Sequence, residues 1–182
     1  MKTIVLTGAP EVGKSYCIYE LAGWLSRNGW KDNPDIADGC KWEGLDFKTA
    51  QQNYKADISQ LFTKSGFNIL LHAPMDTPGC VGKLVEFFRK LCHTGKKVDL
   101  LVTTLRRYDD LQHNATLNAM GWTENDIILA DENGEEIIQI PLLKVKHEST
   151  DNKVEVIERY NKTASRLLQN IVDKILQTEL SI

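Results

Sequence analysis

The sequence lacks the features of membrane, secreted and nucleic-acid-binding proteins. Its apolar runs are far shorter than the ~18 residues that span a bilayer, and Met1-Lys2 leads directly into an apolar strand, so no signal peptide is expected. It has no strongly basic run and a formal net charge of −3, which disfavours direct binding to nucleic acid. We therefore expect a cytoplasmic protein with neither a membrane nor a nucleic acid as its partner.

Cysteine is scarce and scattered. The four cysteines include no C-x-x-C pair and are Cys17, Cys40, Cys80 and Cys92. In a cytoplasmic chain such cysteines are expected to be buried, reduced thiols rather than disulfides. Cys92-His93 and His72 are potential metal ligands, but they lack the spacing of a zinc site. The sequence therefore predicts no structural zinc.

The sequence has the composition of an ordinary globular domain. Of its 182 residues, 42% are hydrophobic and 26% are charged. A chain of this length can bury a proper core, because a domain of ~150 residues buries about 70% of its unfolded surface. With no internal repeat, low-complexity segment or recognisable boundary, residues 1–182 are expected to form a single domain.

The most specific motif is G-x-x-x-x-G-K-[ST], which lies between an apolar run at 3–6 and a segment with helical spacing. Its residues are Gly8, Ala9, Pro10, Glu11, Val12, Gly13, Lys14 and Ser15. Glycines allow successive backbone N–H groups to point inward, and the following helix adds its positive dipole end to this anion site. Lys14 is expected to reach the terminal phosphates and Ser15 to hold Mg²⁺. The alternative is a chance match in an ordinary strand–turn–helix.

On this motif the N-terminal segment resembles the P-loop NTPase superfamily, nearest in layout to small nucleotide-kinase-like proteins. The resemblance implies an α/β fold, in which a mainly parallel sheet with the first strand central carries helices on both faces. It also implies that the chain binds ATP or GTP with Mg²⁺ and transfers or hydrolyses a phosphoryl group. Backbone amides of residues 9–15 would cradle the phosphates, with Tyr16 next to them. Glu11 stands where many members carry glycine, and its carboxylate should face solvent because it would repel phosphate.

Hydrophobic periodicity predicts the elements that follow the motif. A helix over about 14–28 should stop at Gly29. Residues 30–46 form a long loop, either a contact for the acceptor or γ-phosphate or a solvated connector, and 47–56 a short helix. The compact apolar run 67–73 is a buried strand. The preceding run at 57–63 is either the tail of a helix or a partner strand, and its alternating pattern favours a hairpin.

The C-terminal half is predicted to alternate between helices and strands. A helix should begin at Thr77-Pro78 and end near Gly95, followed by a strand over 98–104 and a polar helix over 107–120. Asp131-Glu132-Asn133-Gly134 is flanked by apolar runs and predicts an antiparallel hairpin. The predicted face of the first helix is Val81, Leu84, Val85, Phe88 and Leu91.

A final helix should start near Asn152, with Glu155 completing a capping box. Its predicted buried face is Ile157, Tyr160, Ala164, Leu167, Leu168, Ile171 and Ile175. This C-terminal helix is expected to dock on the sheet, and the alternative is that it binds a partner protein.

Catalysis needs residues beyond the phosphate loop. Asp76 follows a strand at the carboxyl edge of the sheet, where an acid can hold Mg²⁺ directly or through water. The alternative is a turn carboxylate that caps the next helix. Arg106 and Arg107 also follow a strand, and either could balance transition-state charge from a lid-like segment, because a guanidinium holds two phosphate oxygens. The alternative pairs them with Asp109 or Asp110 on a surface helix.

Two other functions are compatible with the motif. Asp76-Thr77-Pro78-Gly79 matches the D-x-x-G element of regulatory GTPases, although Thr103-Thr104-Leu105-Arg106 stands where their guanine-reading N-K-x-D is expected. The third function is a nucleotide sensor without turnover. The first choice remains a P-loop kinase or ATPase, with a small-molecule phosphate acceptor as a further partner of a kinase.

Overall fold

The protein is represented by a computed structural model that describes residues 1–33, 40–75, 78–106, 118, 137–144 and 153–180. The strands in these ranges are β1 (Lys2–Thr7), β2 (Lys31–Asp32), β3 (Ser59–Lys64), β4 (Phe67–His72), β5 (Leu100–Leu105) and β6 (Ile137–Pro141). The helices are α1 (Lys14–Arg27), α2 (Phe47–Gln52), α3 (Pro78–His93) and α4 (Lys153–Leu180).

The strands of the described residues form one mixed sheet in the order β2–β3–β4–β5–β1–β6. Parallel pairing joins β4 to β5, β5 to β1 and β1 to β6, whereas β2–β3 and β3–β4 are antiparallel. The predicted α/β fold with a mainly parallel sheet is therefore confirmed. The prediction of a central first strand is wrong for the described sheet, because β1 is paired on both sides but lies next to the edge strand β6, and β5 separates it from β4.

The β3–β4 hairpin confirms the preferred interpretation of the run at 57–63. The two strands pair from Ser59–His72 to Lys64–Phe67. Ser65 and Gly66 connect them with positive φ angles of 51° and 82°, as the tight turns of right-twisted hairpins require. Because β3 starts where β4 ends, the residues just before β3 lie at the carboxyl edge of the parallel strands.

Helices cover both faces of the sheet. Alternate residues of a strand point to opposite faces, and in β4 Leu70 packs with α3 while Ile69 and Leu71 join the cluster that contains α1 and α4. That larger cluster includes Leu21 of α1 and Leu168 of α4, both fully buried. The C-terminal helix thus docks within the domain, as expected.

The faces of α3 and α4 differ from those predicted. In α3, Phe87 is fully buried and Phe88 only partly, since Leu84, Phe87 and Leu91 form the stripe that meets the sheet. In α4, Leu167 is 51% exposed, contrary to the prediction. The fully or nearly fully buried residues of α4 are Ala164, Ser165, Leu168, Val172, Ile175 and Leu176. Helical spacing alone left the centre of each stripe uncertain by one residue.

The segment between α1 and β3 also departs from the prediction. The expected loop over 30–46 contains the short strand β2, because the edge of β3 offers unpaired backbone groups to it. The short helix ends at Gln52, and Asp46 caps it by accepting a hydrogen bond of 3.0 Å from the backbone N–H of Thr49. A hydrogen bond from the Thr49 hydroxyl, followed by the one from its backbone N–H, lowers the pKa of Asp46.

Several predicted elements lie outside the described residues. These are most of the polar helix over 107–120 and the first strand of the hairpin before Gly134. The predicted second strand of that hairpin corresponds to β6, which pairs with β1 in parallel. Among the described residues, no helix combines the length and the apolar character needed to cross a membrane.

The cysteines are free thiols, as expected, but only Cys17 is buried. Cys40 and Cys80 are partly buried, and Cys92 is exposed on α3. The expectation that all four would be buried is therefore wrong, and Cys92, next to the buried Leu91, lies outside the apolar stripe of α3.

Candidate functional site

The loop between β1 and α1 is tightly curved. Gly8, Glu11 and Gly13 have positive φ angles of 149°, 60° and 91°. Gly13 is the N-cap of α1 in a left-handed conformation and supplies no side chain to cap it. The first N–H groups of a helix have no partner within the helix, so this end of α1 leaves amides for another acceptor.

Both motif glycines lie against the C-terminal part of the chain, at backbone atoms for Gly8 and at a side chain for Gly13. A Cβ on Gly8 would lie 2.5 Å from the backbone oxygen of Leu142, just after β6. A Cβ on Gly13 would lie 3.1 Å from Cγ of Asn161 in α4 and closer still to its Oδ1. Residues far apart in sequence therefore shape the loop.

Hydrogen bonds connect the segment after β6, which contacts the loop, to β1 and α4. The backbone N–H of Leu142 donates to the oxygen of Thr7, at the end of β1, over 2.8 Å. The next N–H, of Leu143, donates to the hydroxyl of Tyr160 over 2.8 Å. These bonds attach both β1 and α4 to the segment that contacts Gly8.

Lys14 directs its ammonium group into the loop. Its side chain lies in the core of the loop, with the residue only 8% exposed. Nζ donates to the backbone oxygen of Ala9 over 2.7 Å and to that of Gly8 over 3.1 Å. Burying a charge is costly unless polar groups surround it, and these carbonyls provide part of that compensation.

A cavity of about 660 Å³ opens at this edge of the sheet. On the loop side it is lined by Pro10, Glu11, Gly13, Lys14, Ser15 and Tyr16. Glu11 is exposed, as expected, although it borders the cavity. The volume is in the range of ~300–1,000 Å³ that is typical of small-molecule sites.

Of the two predicted catalytic arginines, Arg106 lies within the described residues and lines this cavity. It follows β5, the strand next to β1, so it reaches the same edge as the loop. Nearby, the Thr104 hydroxyl donates to the oxygen of Ala73 over 3.0 Å, which ties the end of β5 to that of β4. Arg107 and Asp76 lie outside the described residues.

β4 does not lie next to β1 in the sheet. Two strand spacings of about 4.8 Å separate β4 from β1, because β5 lies between them. The described segment after β4 nevertheless reaches the cavity at Ala73.

Asp57 and Asn161 also line the cavity and were not predicted from the sequence. Asp57 precedes β3, and the hairpin prediction together with strand direction would have located it at this edge. For Asn161 the sequence carried no usable signal, since its position depends on how α4 packs against α1. Gln51, Phe47 and Tyr54, around α2, were likewise missed.

Burial also alters two ionisable groups of α1 beside the loop. Desolvation, followed by the charge of Glu20, raises the pKa of Tyr16, so its hydroxyl stays protonated at neutral pH. The same two causes raise the pKa of the Cys17 thiol to about 12. Cys17 is therefore an inert core residue rather than a nucleophile of the site.

In the described part of the chain, no group of three or more His, Cys, Asp or Glu residues could hold a metal ion. His72 instead lies in the core, with Nδ1 2.9 Å from the hydroxyl oxygen of Ser59. Mg²⁺ at phosphate-transfer sites uses only one or two side chains in addition to phosphate and water. Ser15 at the cavity is compatible with that requirement.

Comparisons with known proteins do not add to this description. A scan against protein-family models and a search of curated proteins both found no match for the chain. The functional inference consequently depends on the motif and the geometry of the cavity.

Proposed function

We propose that the chain is a P-loop protein that binds a nucleoside triphosphate, ATP in the first instance, and transfers or hydrolyses its terminal phosphoryl group. The observation that carries this proposal is the position of Lys14. Its ammonium group is held at 2.7 Å and 3.1 Å from two carbonyls of the loop, at the wall of a cavity of about 660 Å³.

The loop and Lys14 would bind the phosphates together. Amides at the start of α1 and in a loop with repeated positive φ angles provide donors, and the helix dipole favours an anion there. An incoming phosphate would replace the carbonyls of Gly8 and Ala9 as acceptors for the ammonium group. Such charge-assisted hydrogen bonds are about twice as strong as neutral ones.

Ser15 is the proposed ligand of Mg²⁺, and Asp76 is the proposed acid that holds the ion directly or through water. When bound, Mg²⁺ neutralises charge on the phosphate oxygens. Arg106, at the end of the strand next to β1, would balance the charge that develops on the transferred group. Arg107 is the alternative from the same segment.

A regulatory GTPase remains the second candidate, and a nucleotide sensor without turnover the third. The antiparallel β3–β4 hairpin ahead of Asp76 favours the GTPase, since D-x-x-G in that family follows such a hairpin. The size of the cavity and its many polar side chains favour a kinase, which must hold an acceptor beside the triphosphate.

Turnover assays separate the three functions. Mg²⁺-ATP and Mg²⁺-GTP are each supplied alone and with a set of nucleoside monophosphates, and diphosphate formation is followed. A kinase forms ADP only when an acceptor is present, a GTPase hydrolyses GTP alone, and a sensor binds without turnover. Absence of both binding and turnover with every nucleotide would contradict the proposal.

A further inference from the structure

Aromatic side chains line the cavity beyond Ser15. We call Tyr16, Phe47 and Tyr54 the aromatic wall. Tyr16 follows Ser15 in the first turn of α1, and Phe47 is the first residue of α2. The aromatic wall therefore begins beside the phosphate loop and extends toward the segment that precedes β3.

The inner part of the aromatic wall packs against its neighbours. The ring of Phe47 meets that of Tyr16 edge to face, with centroids 5.1 Å apart, and that of Tyr19 at 5.6 Å. The Tyr19 hydroxyl donates to the backbone oxygen of Leu45 over 2.9 Å, just before α2. Such edge-to-face pairs fix ring orientation, so a ligand would meet a preformed surface.

Tyr54 differs from the other two because it is 92% exposed although it borders the cavity. Its backbone adopts a left-handed conformation with a φ of 57°, which is uncommon for a residue with a bulky side chain. The backbone N–H donates to the oxygen of Gln51 over 3.1 Å, which closes the turn after α2. An aromatic ring displayed in this way offers its faces to a ligand.

Polar groups accompany the aromatic wall. Gln51 of α2 and Asp57 before β3 line the same cavity. An amide both donates and accepts hydrogen bonds, and a carboxylate accepts them. Flat apolar faces together with a few such groups suit a planar ring that carries nitrogen and oxygen atoms on its edge.

We propose that the aromatic wall, with Gln51 and Asp57, is a subsite for a nucleobase. This inference rests on the proposed function, since the phosphate loop next to the subsite would hold the charged end of a nucleotide. The base can belong to the triphosphate itself or to an acceptor nucleotide, and both present the same ring chemistry to the aromatic wall. Asp57 would accept a hydrogen bond from an amino or ring N–H group of the base.

The test measures binding of four probes by calorimetry to the whole chain. They are Mg²⁺-ATP, Mg²⁺-GTP, Mg²⁺-tripolyphosphate, which has no base, and nucleoside monophosphates in the presence of a non-hydrolysable ATP analogue. The variants are Tyr54→Ala, Tyr54→Phe, which keeps the ring, and Asp57→Asn. Leu167→Ala, an exposed change on α4, is the control.

Tyr54→Ala is expected to weaken binding of base-containing probes about 5- to 150-fold, in line with the contribution of one stacked base. Tyr54→Phe and the control should bind as the natural chain does, and tripolyphosphate should bind both Tyr54 variants and the control equally. Weaker ATP or GTP binding assigns the base to the triphosphate, whereas weaker monophosphate binding alone assigns it to the acceptor. Asp57→Asn should reduce affinity for bases with an amino or N–H edge.

The subsite is overturned if Tyr54→Ala and Asp57→Asn leave every base-containing probe unaffected. It is also overturned if Tyr54→Ala weakens the binding of tripolyphosphate as much as the binding of ATP, since the effect would then not involve the base. If instead no phosphate compound binds the natural chain, the proposed function fails as well. The two failures are therefore distinguishable.

Discussion

The ammonium nitrogen of Lys14 lies 2.7 Å from the backbone oxygen of Ala9, inside the loop that carries the motif. This contact makes the lysine part of the structure of the loop in addition to its proposed part in binding phosphate. A phosphate that enters must compete with the Ala9 carbonyl for the ammonium group. Because a phosphate oxygen carries charge and a carbonyl does not, the exchange is favourable.

The contact between Gly13 and Asn161 predicts an unequal effect of two glycine substitutions. Gly13→Ala should lower the free energy of unfolding by about 1–3 kcal/mol, because the site combines a positive φ with the overlap against the Asn161 side chain. Gly82→Ala in α3 is the matched control, since no atom lies within 4 Å of the new Cβ. It should be neutral or raise stability by up to ~1 kcal/mol.

Urea denaturation of the two variants checks this prediction, with circular dichroism as the probe. The double variant Gly13→Ala/Asn161→Ala should recover part of the loss, because removing the amide relieves the overlap but not the backbone strain. Equal stability of Gly13→Ala and Gly82→Ala would show that α4 does not contact the loop as described.

Asn161→Asp should weaken binding of nucleoside triphosphates at least about tenfold, because it adds a negative charge to the wall of a proposed phosphate site. The loss should shrink at high salt, where charge repulsion is screened. Asn170→Asp makes the same change at an exposed position about 13 Å farther along α4. Titration of Mg²⁺-ATP at two salt concentrations measures both, and equal affinities for the two variants would contradict the location of the site.

Substitution of Asp76, the proposed acid for Mg²⁺, and of Asp57 in the proposed base subsite should have different effects. Asp76→Asn is expected to raise the Mg²⁺ concentration that gives half-maximal turnover, because an amide is a weaker ligand for Mg²⁺ than a carboxylate. Asp57→Asn should leave that concentration unchanged and alter the preference among bases. Turnover measured against Mg²⁺ concentration separates them, with Asp173→Asn on α4 as a control. If Asp57→Asn alone shifts the Mg²⁺ dependence, the acid was assigned to the wrong segment.

Thiol reactivity should differ sharply between two cysteines. Burial raises the pKa of Cys17 to about 12, so its reactive thiolate form should be scarce at pH 8, whereas Cys92 is exposed. A thiol reagent at pH 8 should label Cys92 within minutes and Cys17 only after unfolding in denaturant. Mass spectrometry of digested protein identifies the labelled residue. Rapid labelling of Cys17 in the folded protein would contradict its place in the core.

The local parts of the fold were predictable from sequence because neighbouring residues determine them. The glycines, Lys14 and Ser15 define the turn from β1 into α1, and the turn residues Ser65 and Gly66 make the β3–β4 hairpin recognisable. The boundaries of α1 follow from its apolar spacing and from Gly29.

The non-local parts were not predictable in the same way. Strand order places β5 between β1 and β4, and nothing in the sequence of the strands specifies that order. The approach of Asn161 to Gly13 depends on how α4 rotates against α1. For the same reason the sequence favoured Phe88 over Phe87 as the core residue of α3, since both occupy positions near the apolar stripe.

The central claim is that Lys14 and the loop around it bind a nucleoside triphosphate. The most direct test is calorimetric titration of Mg²⁺-ATP and Mg²⁺-GTP into the natural chain, Lys14→Ala and Lys174→Ala, an exposed lysine on α4. We expect the natural chain and Lys174→Ala to bind at least one nucleotide alike. Lys14→Ala should bind it about 10- to 100-fold more weakly, as expected for loss of a hydrogen bond from a charged group. No heat of binding with either nucleotide, or unchanged affinity in a folded Lys14→Ala variant, would contradict the claim.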